Sequence, residues 1–416
     1  MPLSPRLSKP QLVLLLGSLY CAQGLPSGLL AHVLPALMRQ HGVDLAMISL
    51  LKLLALPWVL KVLWAPWVDC RSLLPLGHRR GWILPMQLLV VVLLVLMACL
   101  PPQMLFETYL WPLMAVLLLL NLASATQDVA TDGLAVRLLP ASWRGLGNSL
   151  QVGGYKIGMI ISGSLMLLVV DDWGWHWTLL GLALLVALMT GPVWRFPEAT
   201  LLAEPRRGSE PAGFAMLWHH YRGFLAQPGI LTWLLVVLTF KLGDALGSPM
   251  IKPMLVDQGW SLSAVGGLTL AASCAGIAGA LLGGLLYKWL GSYRALLLLG
   301  GLQALGLAGL ALIPQASSWV VSALVVCEQI ADGMSTVALF AVMMAHCRLG
   351  YEGADFTFQA GIQVVLAGLV GALSGTIAKA LGYGGHFMVA ALVGLVMLAW
   401  VVRYAKRSAG ADGLAG

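Results

Sequence analysis

Runs of some twenty apolar residues, separated by short polar or basic loops, recur from one end of the chain to the other, and this constrains its fold more than any other feature. Each run is long enough to cross a bilayer as an α-helix, which takes about 20 residues. The runs fall at about 11–38, 46–68, 82–101, 108–139, 145–170 and 177–195, and then at about 230–256, 264–289, 295–313, 319–346, 355–381 and 386–403. Composition supports the same view: 59% of residues are hydrophobic and only 10% charged, with a mean hydropathy of +0.88, whereas a soluble domain carries about 25% charged residues. The sequence therefore predicts an all-α membrane protein of twelve transmembrane helices in two six-helix halves.

One long polar stretch interrupts the pattern, with Glu204, Arg206, Arg207, Ser209, Glu210 and Pro211 at its centre. It divides the chain into an N-terminal bundle (1–196), a linker (197–228) and a C-terminal bundle (229–416). Inside it, Gly213 to Phe224 mixes aromatic and basic residues as a short helix at a membrane surface would.

The formal net charge of +7 could suggest nucleic acid, but the basic residues lie between apolar runs, where they set topology. Of the 24 Lys and Arg residues, 17 fall on one side of the spans, among them Arg79, Arg80, Arg206, Arg207 and Arg348; the other side has Arg39 and Lys379. This bias places both termini in the cytoplasm. The first apolar run exceeds signal-peptide length and lacks a small-residue cleavage site, so it is expected to stay as the first span. The six cysteines are scattered among spans with no C-x-x-C pair, which argues for packing and against a disulfide framework or zinc site.

The two halves echo one another. The loop after the second span runs from Asp69 through Gly77 to Arg79 and Arg80, and that after the eighth from Tyr287 through Gly291 to Arg294. Span four carries Gln127, Asp128 and Asp132, and span ten Glu328, Gln329 and Asp332, so each has carboxylates at i and i+4 on one face. Such repetition is a feature of carriers whose site lies near the bilayer midplane.

Five lysines fall inside spans: Lys52, Lys61, Lys156, Lys241 and Lys252. A charge at the bilayer centre costs at least about 2.5–3.5 kcal/mol, so each needs a partner or a wet cavity. Lys241 and Asp244 are three apart, suited to pairing with each other, and Gly247, Ser248 and Pro249 beyond them should interrupt the helix. Tyr155 and Lys156, with Gln151 on the same span, are candidate contacts for an anionic or aromatic solute, and the glycines around them suit close helix packing. Pro26 should kink the first span and expose Gln23 as a further contact. Lys61 and Asp69, near the end of span two, are explained by snorkelling or a loop network. No nucleophile, metal-ligand cluster or phosphate loop accompanies the acids, so an enzyme is not expected, nor any cofactor or protein-held metal.

The segments QGLPSGLL from Gln23, KVLWAPWVD from Lys61, GHRRGWILP from Gly77, ATQDVATDGLAVRLLP from Ala125, GNSLQVGGYKIGMIISG from Gly147 and FKLGDALGSPMIKPML from Phe240 resemble the AmpG-related branch of the major facilitator superfamily. That branch includes muropeptide permeases, acetyl-CoA transporters and the RhtX/FptX siderophore permeases, and the similarity is greatest to the siderophore group. The resemblance implies a permease, a monomer, that imports a ferric siderophore of the pyochelin type by alternating access driven by protons; a muropeptide or other anionic solute is the alternative. Tyr155, Lys156 and Lys241 would hold the solute, together with Gln23 and Gln151. The acids Asp128, Asp132, Asp244, Glu328 and Asp332 would serve coupling or gating, and Asp69, Arg79 and Arg80 would form a cytoplasmic loop motif.

Overall fold

The computed structural model describes residues 7–44, 47–48, 50–202, 213–312 and 317–412, and among them every regular element is helical. Arg6 and the linker residues Glu204, Arg206, Arg207, Ser209, Glu210 and Pro211 lie outside the described residues. Among the described residues, nine helical stretches are long and apolar enough to cross a membrane. Two of them, Ala141–Leu201 and Ser263–Leu310, each contain a reversal, at Gly174 (φ 73°) and Gly291 (φ 72°), backbone that essentially only glycine adopts. Each is therefore a pair of spans, and the expected loops at 170–177 and 289–295 are single-glycine turns. A third such turn, at Gly382 (φ 69°), separates spans eleven and twelve.

The remaining span, residues 50–70, departs from the continuous helix expected. It is a chain of short turns, Leu50–Ala55, Leu56–Leu60, Lys61–Leu63 and Ala65–Cys70, alternately 3-10 and α. Pro57 and Pro66 each sit in the first turn of an α segment. There a missing N–H is tolerated, but the helix cannot be continued from upstream.

The first helix begins at Lys9, where the backbone N–H of Ser8 donates to Gln11 Oε1 at 3.0 Å in a capping box. Pro26 lies inside it, and the chain leaves α geometry one turn later, in the π-turn Leu29–Val33, before resuming as Leu34–Gln40. Gly24 has no side chain to hold it off the backbone of Tyr155 and Gly158, so spans one and five meet backbone to backbone. In lipid, where tails are as apolar as leucine, close packing of this kind and polar pairs hold helices together.

Two compact units are formed: one of Met1–Leu138, Gly154–His219 and Cys347–Thr357, the other of Leu139–Gly153, His220–His346 and Phe358–Gly416. The core of the first joins Leu25, Leu29 and Met38 to Leu94, Leu117 and Leu179. The second is built around Met254, Leu255, Leu307, Leu310 and Phe387. Leucines elsewhere point outward, as at Leu168, 73% exposed. Trp111, Trp173, Trp177, Trp289 and Trp319 are exposed near helix ends, as an interfacial belt requires. Of the cysteines, Cys21 is buried while Cys99, Cys274 and Cys327 are exposed, so packing accounts for only part of the set.

Candidate functional site

In the first unit, the broken second span turns Lys61 inward. Its side chain is buried and pairs with the carboxylate of Asp128, on Leu110–Leu138, which corrects the snorkelling reading. The Lys61 ammonium also lies 5.3 Å from the ring centroid of Trp58. The Trp58 indole N–H donates to Asn121 Oδ1 at 3.1 Å, and the ring meets Tyr155 edge-on at 6.5 Å. One turn beyond Asp128, Asp132 accepts the Tyr20 hydroxyl at 3.0 Å. The face expected from the i, i+4 spacing therefore exists, and spans one and two supply its partners.

Beside this cluster is a cavity of about 700 Å³ whose polar and aromatic lining is Ser27, Lys52, Trp58, Asn121 and Tyr155. Trp58 and Asn121 belong both to its wall and to the network around Lys61. Lys52 is exposed, as is Lys252, whereas Lys156 is half-buried. Gln23 is buried, and its Nε2 has no hydrogen-bond partner among the described residues, so it can still engage a solute or water.

In the second unit, span seven breaks twice: Ile230–Thr239 is followed by Leu242–Gly247, then by a 3-10 turn at Ser248–Met250. The interruption at Ser248 and Pro249 was expected. The earlier one, at Phe240 and Lys241, is additional and brings Lys241 into the core. Its ammonium donates to Asp332 Oδ1 at 2.7 Å, Ser335 Oγ at 2.8 Å and Gln303 Oε1 at 3.1 Å, using all three protons. Lys241 thus pairs with Asp332 on span ten, where the sequence spacing had suggested Asp244, three residues on. Asp244 Oδ1 accepts the Ser248 hydroxyl at 2.5 Å. Glu328 is fully buried: one oxygen accepts Gln329 Nε2 at 2.9 Å, and Oε1 has no hydrogen-bond partner among the described residues. Gln151 is buried in this unit.

The loop motif forms a third cluster. Arg79, 1% exposed, pairs with Asp69 and donates to Glu352 Oε2 at 3.1 Å. The Asp69 carboxylate also accepts the backbone N–H of Ala354 at 2.6 Å, capping the helix Glu352–Ala372 at its positive end. Glu198 takes the backbone N–H groups of Arg79 and Arg80 at 2.7 and 2.8 Å and so caps Arg80–Ala98. Arg80 donates from Nη2 to the Trp194 carbonyl at 2.8 Å. Gly133 lies under the Arg79 guanidinium, where any side chain would collide.

Sequence reasoning missed Tyr20, Trp58, Asn121, Gln303, Ser335, Glu198 and Glu352. Glu352 sits 273 positions from Arg79, so no local spacing marks it; an acid in the first turn of a helix was the one available signal.

Residues 16–368 match the family described as the Major Facilitator Superfamily. The chain belongs to this superfamily. As a major facilitator protein it is a multi-pass membrane protein and a secondary transporter. It is similar to the anhydromuropeptide permease of Escherichia coli strain K12, with 31% identity over 390 residues, covering 91% of this chain and 77% of that protein. Its fold is similar to that of a bacterial homologue of the iron transporter ferroportin in an outward-facing state, with a TM-score of 0.70 and 12% identity over 96% of this chain and 100% of the other. The proton:xylose symporter XylE, bound to 6-bromo-6-deoxy-D-glucose, gives a TM-score of 0.70 at 11% identity over 94% of each chain. At such identities the two structures speak for the major facilitator fold alone.

Proposed function

We propose that this major facilitator protein imports an anionic solute of the muropeptide class across the bacterial inner membrane, by alternating access coupled to protons. The likeness to the Escherichia coli anhydromuropeptide permease over 91% of the chain carries this reading. The chemistry of the cavity agrees with it. Trp58 and Tyr155 offer aromatic faces for a sugar ring, Asn121 and Ser27 offer hydrogen bonds, and Lys52 offers a cation for a carboxylate. The functional halves are the bundles 1–196 and 229–416, with both termini in the cytoplasm. Glu328 is the acid best suited to carry the coupling proton. Lys241 is engaged with Asp332, Ser335 and Gln303, while Glu328 is buried with one carboxylate oxygen, Oε1, that has no hydrogen-bond partner among the described residues and is open to a proton. A ferric siderophore of the pyochelin type is the second solute to consider from the sequence, and no feature of the cavity favours it.

Uptake into proteoliposomes under an inward proton gradient tests the proposal, with labelled anhydromuropeptide and ferric pyochelin offered separately. Accumulation of the muropeptide, abolished by an uncoupler, is expected. Uptake of the ferric chelate with none of the muropeptide would refute it.

A further inference from the structure

We propose that a groove on the outer surface of the first unit is a binding site for one anionic phospholipid. The groove encloses about 780 Å³ between the start of the first helix, at Leu14 and Leu15, and the end of the sixth span, at Leu188, Gly191 and Trp194. Leu14, Leu188 and Trp194 are 61%, 62% and 66% exposed, so its walls are apolar and open to the surroundings. Its polar lining includes Gln11 and Arg195.

The charges near Arg195 set the sign of the site. Arg80 donates to the carbonyl of Trp194, which brings a second guanidinium to the residue beside Arg195. The acid nearest in the network, Glu198, is buried and turned inward onto the backbone N–H groups of Arg79 and Arg80. Arg79 is itself balanced by Asp69 and Glu352. Among the described residues that line the groove, Arg195 is the one with a charged side chain, so the lining presents a cation and no acid. A long apolar trough ending in a cation matches the order of acyl chain and phosphate in an anionic lipid, and basic pockets between transmembrane helices recognise such headgroups. Free phosphate would leave the apolar walls unused. On the proposed topology this end faces the cytoplasmic leaflet.

Gly191 leaves the groove open: a Cβ added there would have nothing within 4 Å. The variant Gly191→Phe can thus fill the trough without displacing the backbone, and Arg195→Gln removes the exposed cation and little else. The test is native mass spectrometry of the full chain after reconstitution with phosphatidylglycerol or phosphatidylcholine, with melting temperatures confirming that each variant is folded. The wild-type protein should retain one phosphatidylglycerol in preference to phosphatidylcholine. Arg195→Gln should lower that preference about fivefold, the usual effect of one basic residue at a headgroup, and Gly191→Phe should abolish retention of the lipid. Equal retention of the two lipids by the wild type, or undiminished phosphatidylglycerol on Gly191→Phe, overturns the proposal.

Discussion

The pair between Lys61 and Asp128 allows a quantitative test of how the first unit is held together. Both side chains are less than a tenth exposed, so removing either partner strands the other away from water. Breaking a buried pair in this way costs about 3–5 kcal/mol. The variant Asp128→Leu belongs near the lower figure, because Asp132, one turn along the same helix, remains to face the ammonium. Lys61→Met belongs near the upper one, since it leaves two buried carboxylates on one helix face without the ammonium between them. The double variant removes both charges, leaves Asp132 bonded to Tyr20, and is expected to cost only about 1 kcal/mol, because an apolar replacement of a buried pair is often close to neutral. The coupling energy should then exceed about 3 kcal/mol, more than a hundredfold in the unfolding equilibrium at 1.4 kcal/mol per tenfold. Reversible unfolding in mixed micelles, followed by tryptophan fluorescence, measures all four proteins. If the double variant is as unstable as the sum of the single ones, to within about 0.5 kcal/mol, the two residues do not interact and the reasoning is wrong.

Other expectations follow from the same structure. Glu328→Gln, which mimics the protonated side chain, should keep exchange of labelled muropeptide across the membrane but lose accumulation driven by a pH gradient; unchanged accumulation removes Glu328 from the coupling step. Trp58→Ala should weaken muropeptide uptake about tenfold, the loss of one aromatic platform, whereas Trp58→Phe should retain most of it, as half-saturation concentrations in proteoliposomes will report. Gly158→Val drives a side chain into the backbone of Cys21 and Gly24, and should cost about 3 kcal/mol in micelle unfolding, since backbone cannot yield as a side chain can. Glu198→Ala removes the acceptor for two backbone N–H groups at the start of the helix Arg80–Ala98, and should lower stability by about 2 kcal/mol in the same assay.

Much of this molecule was legible in the sequence, for reasons that are local. Apolar runs of span length identify the crossings because a bilayer demands helices of that length. Gly174, Gly291 and Gly382 fall between such runs, where the chain has to reverse. The acids of spans four and ten stand out because charge in lipid is costly, and the i, i+4 spacing alone puts each pair on one face. Which partner each charge would find was not legible. Lys241 had an acid three residues away and pairs with one 91 positions away, on span ten. Lys61 reads as a residue that could snorkel, and it is the prolines of span two that turn it toward Asp128. Arg79 meets Glu352, far along the chain, because two helix starts come together in one unit. Helix formation and membrane crossing depend on neighbours within a few turns and so are written in the sequence; pairing depends on which helices are packed side by side, and only the tertiary structure decides that.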